Sequence, residues 1–271
     1  MSSIRQKERV PTFKLLIAYD GKPFAGWQSQ ENSVAIQDLL EKALAEIYSI
    51  RVVLHGSGRT DAGVHALGQV ASFQPPSENP RLTCDQLVKA INTRIPREIR
   101  IMSATQVAEG FHARFDAIGK EYHFHVVAAQ TLHPLLLNRA WLVRGPLNIE
   151  AMREAAGYML GTHDFASFAA NRGHEPEDTI RTLSKVNVRE QQPFTPNTAG
   201  EDTQKLIVFE VAGDGFLYKM VRTISGTLVA VGQGKIKASE VITIINAKSR
   251  SEAPMTAPAD GLYLVRVNYK D

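Results

Sequence analysis

A single cysteine, Cys84, stands in 271 residues, so no internal disulfide can form and a reducing compartment is the simpler expectation. Charge is nearly balanced: 31 Lys and Arg against 28 Asp and Glu leave +3, which does not announce a nucleic-acid partner by net charge. No run of ~18 apolar residues occurs and no charged leader with an apolar core opens the chain, so the expectation is a cytoplasmic protein without a membrane span. Gly56, Gly58 and Gly63 fit neither the dinucleotide fingerprint nor the phosphate-binding loop with its Lys-Ser/Thr ending. Asp61 lacks the second carboxylate, two residues on, of a magnesium-dependent aspartyl phosphatase. His123 and His125 alternate along a strand, but neither a Cys nor a third His joins them at ligand spacing, so a metal-dependent hydrolase using them with Asp61 is the weakest of three readings. No cofactor and no metal are expected.

What is present is an ordinary globular composition, 44% hydrophobic and 22% charged, long enough to bury a sizeable core. Within it one stretch stands out: Gly56-Ser57-Gly58-Arg59-Thr60-Asp61-Ala62-Gly63-Val64-His65. One carboxylate sits in a loop whose glycines permit unusual backbone and close ligand approach. Val52-Val53-Leu54 before it and Val70-Ala71-Ser72-Phe73 after it read as anchoring strands. An Asp before Ala-Gly also reads as a plain turn residue, and that alternative stays open on the loop alone.

Apolar spacing predicts a strand over 12–19, a helix carrying Ile36, Leu39, Leu40, Ala43, Leu44 and Ile47, a second helix opened by the capping box Thr83-Cys84-Asp85-Gln86, and a strand over 99–107. The second half predicts strands at 117–128, 182–188, 205–212 and 261–269, with helices at 148–160, 216–232 and 239–247. The class is therefore α+β: two tandem βαββαβ halves, 1–115 and 116–271, forming one extended, mainly antiparallel sheet with helices packed on it. The segments 171–178 and 191–202 read as loops.

Three further groups bear on chemistry. Arg59 lies two residues from Asp61, and Arg222 stands in Phe216-Leu217-Tyr218-Lys219-Met220-Val221-Arg222 among small or apolar neighbours; a guanidinium beside a carboxylate keeps it ionised and oriented. Between Gly215 and Ser239 the chain carries Lys219, Arg222, Lys235 and Lys237 and no acid, a pattern that is more often a solvated face than an RNA contact. Tyr122 shares a strand face with Phe124 and Val126, opposite His123 and His125; its ring is either core or a platform under an unpaired base.

These residues, with Tyr19-Asp20-Gly21, Gly26-Trp27-Gln28, Phe111-His112-Ala113-Arg114-Phe115, Lys120-Glu121-Tyr122 and Gly161-Thr162-His163-Asp164-Phe165, run through nearly the whole chain. The chain resembles the bacterial tRNA pseudouridine synthases of the TruA family. That resemblance implies an isomerase acting on uridines 38 to 40 of the tRNA anticodon arm, without cofactor. It implies Asp61 as nucleophile, Tyr122 stacked on the target uracil, Arg222 as the cation for Asp61, and Arg59 helping to extrude the nucleotide. Phe111, His112, Arg114, Phe115, Lys219 and Arg172 become candidate RNA contacts, and a homodimer gripping one tRNA is expected. The alternative of another class is a non-catalytic RNA-binding protein on the same sheet.

Overall fold

The computed structural model describes residues 12–28, 33–76, 82–171, 178–191 and 205–270. The class is α+β, a mostly antiparallel sheet with helices packed on it, five of them among the described residues. Two compact units are distinguished. The first comprises the described residues up to Ala62, Ala66–Ala117 and the chain from Tyr269; the second comprises Gly63–His65 and Ile118–Asn268.

In the first unit the order is β1 (Thr12–Tyr19), α1 (Ile36–Tyr48), β2 (His55–Gly56), β3 (His65–Phe73), α2 (Cys84–Asn92) and β4 (Ile99–Val107). β1 lies between β4 and β3, antiparallel to both, and β2 adds two residues to β3. Alternation along β1 buries Phe13, Leu15 and Ile17 completely, and the Phe13 and Phe73 rings stack at 5.5 Å. Helix α1 turns Ile36, Leu40, Ala43 and Leu44 inward. The capping box that opens α2 is formed as expected, with Thr83 accepting from the Gln86 N–H and Gln86 reaching back to the Thr83 N–H.

The strand expected at Val52–Leu54 does not form. Side chains of α1 take its backbone groups instead: Gln37 donates to the Leu54 carbonyl at 3.1 Å and Glu41 accepts the Leu54 N–H at 3.1 Å. Pairing begins only at His55, opposite Ser72.

The second unit holds, but for the end residues Ala117 and Tyr269, β5 (Ala117–Ala128), β6 (Trp141–Val143), α3 (Ile149–Gly157), β7 (Gly161–Asp164), β8 (Ile180–Gln191), β9 (Leu206–Gly213), α4 (Met220–Gly232), α5 (Glu240–Ala247) and β10 (Leu262–Tyr269). Its strand order is β10-β5-β9-β8-β7, with β6 parallel to β5. The short strands β6 and β7 add to the expected element order. Helix α4 begins at Met220 rather than at 216, because Lys219 takes a left-handed backbone (φ 59°) and the Tyr218 carbonyl accepts from Ala170 at 2.9 Å instead of from the next helical turn. Twelve of the thirteen residues of α4 are buried, Arg222 being the exception. Buried Ser225 and Thr227 satisfy their hydroxyls by donating to the carbonyls four residues earlier.

One face of this sheet carries a charge network. Glu210 on β9 and Glu121 on β5, 8% and 6% exposed, are bridged by Lys185 Nζ at 2.9 and 3.0 Å, while Arg189 pairs with Glu210 and Arg266 with Glu121. Burial pushes the Glu210 carboxyl up, but Lys185, Arg189 and Asn187 outweigh it and bring it down to about 2. The stabilisation from Glu210 is therefore complete above about pH 4.5 and fades as pH falls toward 2. Glu210→Gln is expected to cost about 2–3 kcal/mol at neutral pH. Thermal midpoints of parent and variant should converge on acidification from pH 5 toward pH 2. A gap that stays constant across that range would show that the network does not hold Glu210 ionised.

Candidate active site

The loop bearing Asp61 leaves β2 at Gly56, and its upstream limb is fixed almost atom by atom. Ser57 and Gln69 are wholly buried: Ser57 N–H donates to Val70 O at 2.7 Å, Ser57 Oγ donates to Gln69 Oε1 at 2.6 Å, and Gln69 Nε2 donates to Gly58 O at 3.0 Å. Thr60 shares a 2.8 Å hydrogen bond with the Tyr19 hydroxyl and accepts the Trp27 N–H at 3.1 Å. Burial pushes the Tyr19 phenol well above its usual range, so this anchor remains protonated. Two close approaches make the arrangement possible. The Trp27 indole lies where a Cβ on Gly56 would be, and Gly26 (φ +105°) brings its backbone so near that a Cβ there would sit 2.5 Å from Thr60 O. Between these fixed points Asp61 is half-buried and Arg59 exposed.

Of the three loop glycines, Gly63 takes a positive φ (+79°) and Gly56 serves close packing, while Gly58 has no positive φ. The glycine whose Cβ would press on the backbone of the Asp61 loop, Gly26, is remote in sequence.

The downstream limb is anchored within the second unit. His65 is buried, its ring stacked on Tyr263 at 4.8 Å and its Nε2–H donating to Asn138 O at 2.7 Å; the Tyr263 hydroxyl donates to Arg139 O at 2.8 Å. His125 packs on the other neighbour of this stack, 4.5 Å from Tyr263, and burial lowers it to about 4. His123 instead faces Glu121 at 3.2 Å. No group of three or more His, Cys, Asp or Glu suited to a metal ion occurs among the described residues.

Phe111, His112, Arg114 and Phe115 form one tight turn after β4. Its pivot, Ala113, is wholly buried, donating to Ser72 Oγ at 3.0 Å and accepting from the Tyr269 hydroxyl at 2.7 Å. His112 Nδ1 accepts the Arg114 N–H at 3.1 Å, and Asp116 accepts the His112 N–H at 2.7 Å. Burial and the neighbouring His55 hold the His112 imidazole below its usual range, which suits an accepting ring nitrogen. Lys14 lies over Tyr269 at 4.8 Å, and Phe111 packs on that ring at 5.1 Å.

In the second unit Tyr122 is 8% exposed on β5, its ring edge-on to Phe216 at 5.1 Å. Arg222 projects from the first turn of α4, Nε donating to Ala257 O at 2.8 Å while its own carbonyl accepts from Ala257 N–H at 3.0 Å. Lys219 Nζ lies over Tyr218 at 5.1 Å. Arg172 lies outside the described residues. Missed from the sequence were Gly26, Gln69, His55, His65 and Tyr263 as supports, since only the folded chain shows what each meets; a glycine directly before a tryptophan was the one local hint.

Fold and loop together describe an α+β protein with one half-buried carboxylate on a glycine-containing loop, each limb of which is hydrogen-bonded within its own unit; a carboxylate held in this way is a candidate for covalent or acid–base chemistry. Comparison with known proteins narrows this. Residues 15–116 and 155–270 match a family described as tRNA pseudouridine synthase. The tRNA pseudouridine synthase A of Acetivibrio thermocellus is 43% identical over 94% of this chain and 98% of its own length. That of Akkermansia muciniphila is 40% identical over 94% and 93%, and tRNA pseudouridine synthase A 1 of Protochlamydia amoebophila 39% over 96% of each. The chain belongs to the tRNA pseudouridine synthase family, whose enzymes are isomerases.

Proposed function

We propose that this protein isomerises uridine to pseudouridine in the anticodon arm of tRNA, at positions 38 to 40, with Asp61 as nucleophile. The observation that carries this is the coincidence of a family match across both units with a half-buried carboxylate on a loop fixed from both ends. A base in a stem leaves its stack at a cost of a few kcal/mol before a carboxylate can reach it. Arg59, exposed beside Asp61, is the group proposed to help extrude and hold the nucleotide. A carboxylate oxygen of Asp61 forms a transient covalent bond to the nucleotide, at C6 or at C1′, and that bond breaks again as product forms, regenerating Asp61. The N1–C1′ bond breaks, the uracil turns in place, C5 bonds to C1′, the proton on C5 is lost and N1 gains one.

Tyr122 is proposed to stack against the uracil and help keep water from the freed base. Arg222 is the cation that complements Asp61, and Lys219, Arg114 and Arg172 meet RNA phosphates. The relatives' substrate, by their names a tRNA, is taken as this protein's own. A homodimer is proposed with it, on the family resemblance of the sequence. Among the described residues no helix is long and apolar enough to cross a membrane.

The test is to incubate the purified protein with an unmodified tRNA transcript and map pseudouridine, alongside bulk tRNA from cells with and without it. Pseudouridine at 38 to 40 that depends on the protein is the expected result. Tight tRNA binding without product would favour the non-catalytic RNA-binding alternative. Arg222→Leu should then lower kcat at least about tenfold while changing KM little, since an oriented charge acts mainly in the transition state. An equal loss in tRNA affinity would reassign Arg222 to a phosphate.

A further inference from the structure

The turn after β4 is pinned at its base and open at its tip. Ala113 is 0% exposed and held on both sides, and the reciprocal His112–Asp116 hydrogen bonds close the turn, yet Phe115 is 74% exposed. An ordered phenyl ring facing solvent adds nothing to a core, so core packing does not account for it.

The ring does not stand alone. His112 lies 4.3 Å behind it, centroid to centroid, and the exposed His55 lies 4.7 Å from His112, which makes a ladder of three planar rings. The Arg114 guanidinium sits 5.6 Å from the Phe115 centroid. His55 is paired with Ser72, the residue whose hydroxyl takes the Ala113 N–H, so the strand pair that carries one ring also fixes the turn carrying the others. His55 also immediately precedes the Asp61 loop. The acid in the turn, Asp116, has its carboxylate engaged by the His112 N–H.

A rigid, exposed aromatic face with a guanidinium beside it matches what an unpaired base and its phosphate require, because every base offers a π-face and every linkage a negative charge. We infer that Phe115, backed by His112 and His55 and flanked by Arg114, is a stacking site for an unpaired nucleobase of the RNA, separate from the nucleotide that reacts. The inference rests on the proposed action on tRNA. It adds a requirement that this reading does not contain: the RNA presents an unpaired base here, and the ring holds it before any chemistry.

The probe is a short RNA stem-loop with 2-aminopurine placed in turn at each loop position and, as a control, within the stem, since stacking quenches its fluorescence. The parental protein should quench at one loop position more than at any stem position. Phe115→Leu should abolish that quench and weaken binding about fivefold or more. Phe115→Trp should keep both, and the melting temperature of Phe115→Leu should stay that of the parent because the ring is outside the core. If Phe115→Leu binds and quenches like the parent while the parent makes pseudouridine, the stacking site is overturned and the proposed activity stands. If the parent neither binds the stem-loop nor modifies tRNA, the RNA reading fails and the stacking site with it.

Discussion

Asp61→Asn is expected to abolish pseudouridine formation, by at least about three orders of magnitude, while leaving tRNA binding and thermal stability near those of the parent. The exchange keeps the shape of the side chain and removes the property that the proposed reaction needs, a nucleophilic oxygen. The fixed limb on its upstream side, Ser57 to Thr60, is held by hydrogen bonds with Gln69, Val70, Tyr19 and Trp27, and the exchange leaves these in place. Single-turnover assays with excess enzyme over an unmodified transcript, with binding measured on the same preparations, separate the two effects. Product at the parental rate would remove Asp61 from the mechanism, whereas equal loss of binding and product would make it an RNA contact.

Gly26→Ala is expected to have the second-largest effect, although this residue carries no functional group. Its φ of +105° is strained for an L residue, and the added methyl would lie 2.5 Å from the Thr60 carbonyl, 3.1 Å from the Asp61 carbonyl carbon and 3.2 Å from Ala62 N. All three are backbone atoms, so the clash cannot be relieved by a side-chain rotation; the loop itself must shift. Strain and overpacking together should cost about 2–5 kcal/mol. Displacing a reacting group by ~1 Å costs on the order of a hundredfold in rate. Gly157→Ala provides the contrast: a Cβ there meets nothing within 4 Å and φ is ordinary, so stability should stay the same or rise. Measuring kcat and the melting temperature for both variants checks this, and equal behaviour would show that Gly26 does not press on the Asp61 loop.

Long strands and capped helices were legible because their signals are local. The strand over 12–19 and those over 99–107 and 117–128 came out at their observed limits, since alternation over eight or more residues leaves little choice of register. The capping box of α2 was equally plain. The three- and four-residue strands β6 and β7 were not, because so few residues carry no period. The start of α4 was misplaced by four residues for a different reason: nothing local forbids helix at 216–219, and the Ala170 N–H that captures the Tyr218 carbonyl comes from a distant segment. The absent strand at 52–54 has the same origin, in donors and acceptors contributed by Gln37 and Glu41 of α1.

For the candidate site the division is similar. The glycine-rich run around Asp61, the position of Tyr122 on an apolar strand face and the isolation of Arg222 in an otherwise buried helix are patterns of adjacent residues, and reading the chain in order is enough to find them. That Gly26 must be glycine, that His65 stacks on Tyr263, and that His55, His112 and Phe115 form one ladder are facts about residues far apart along the chain. Local order encodes propensity and periodicity, whereas the close approach of distant backbones depends on how the elements pack, and no short window of sequence contains it.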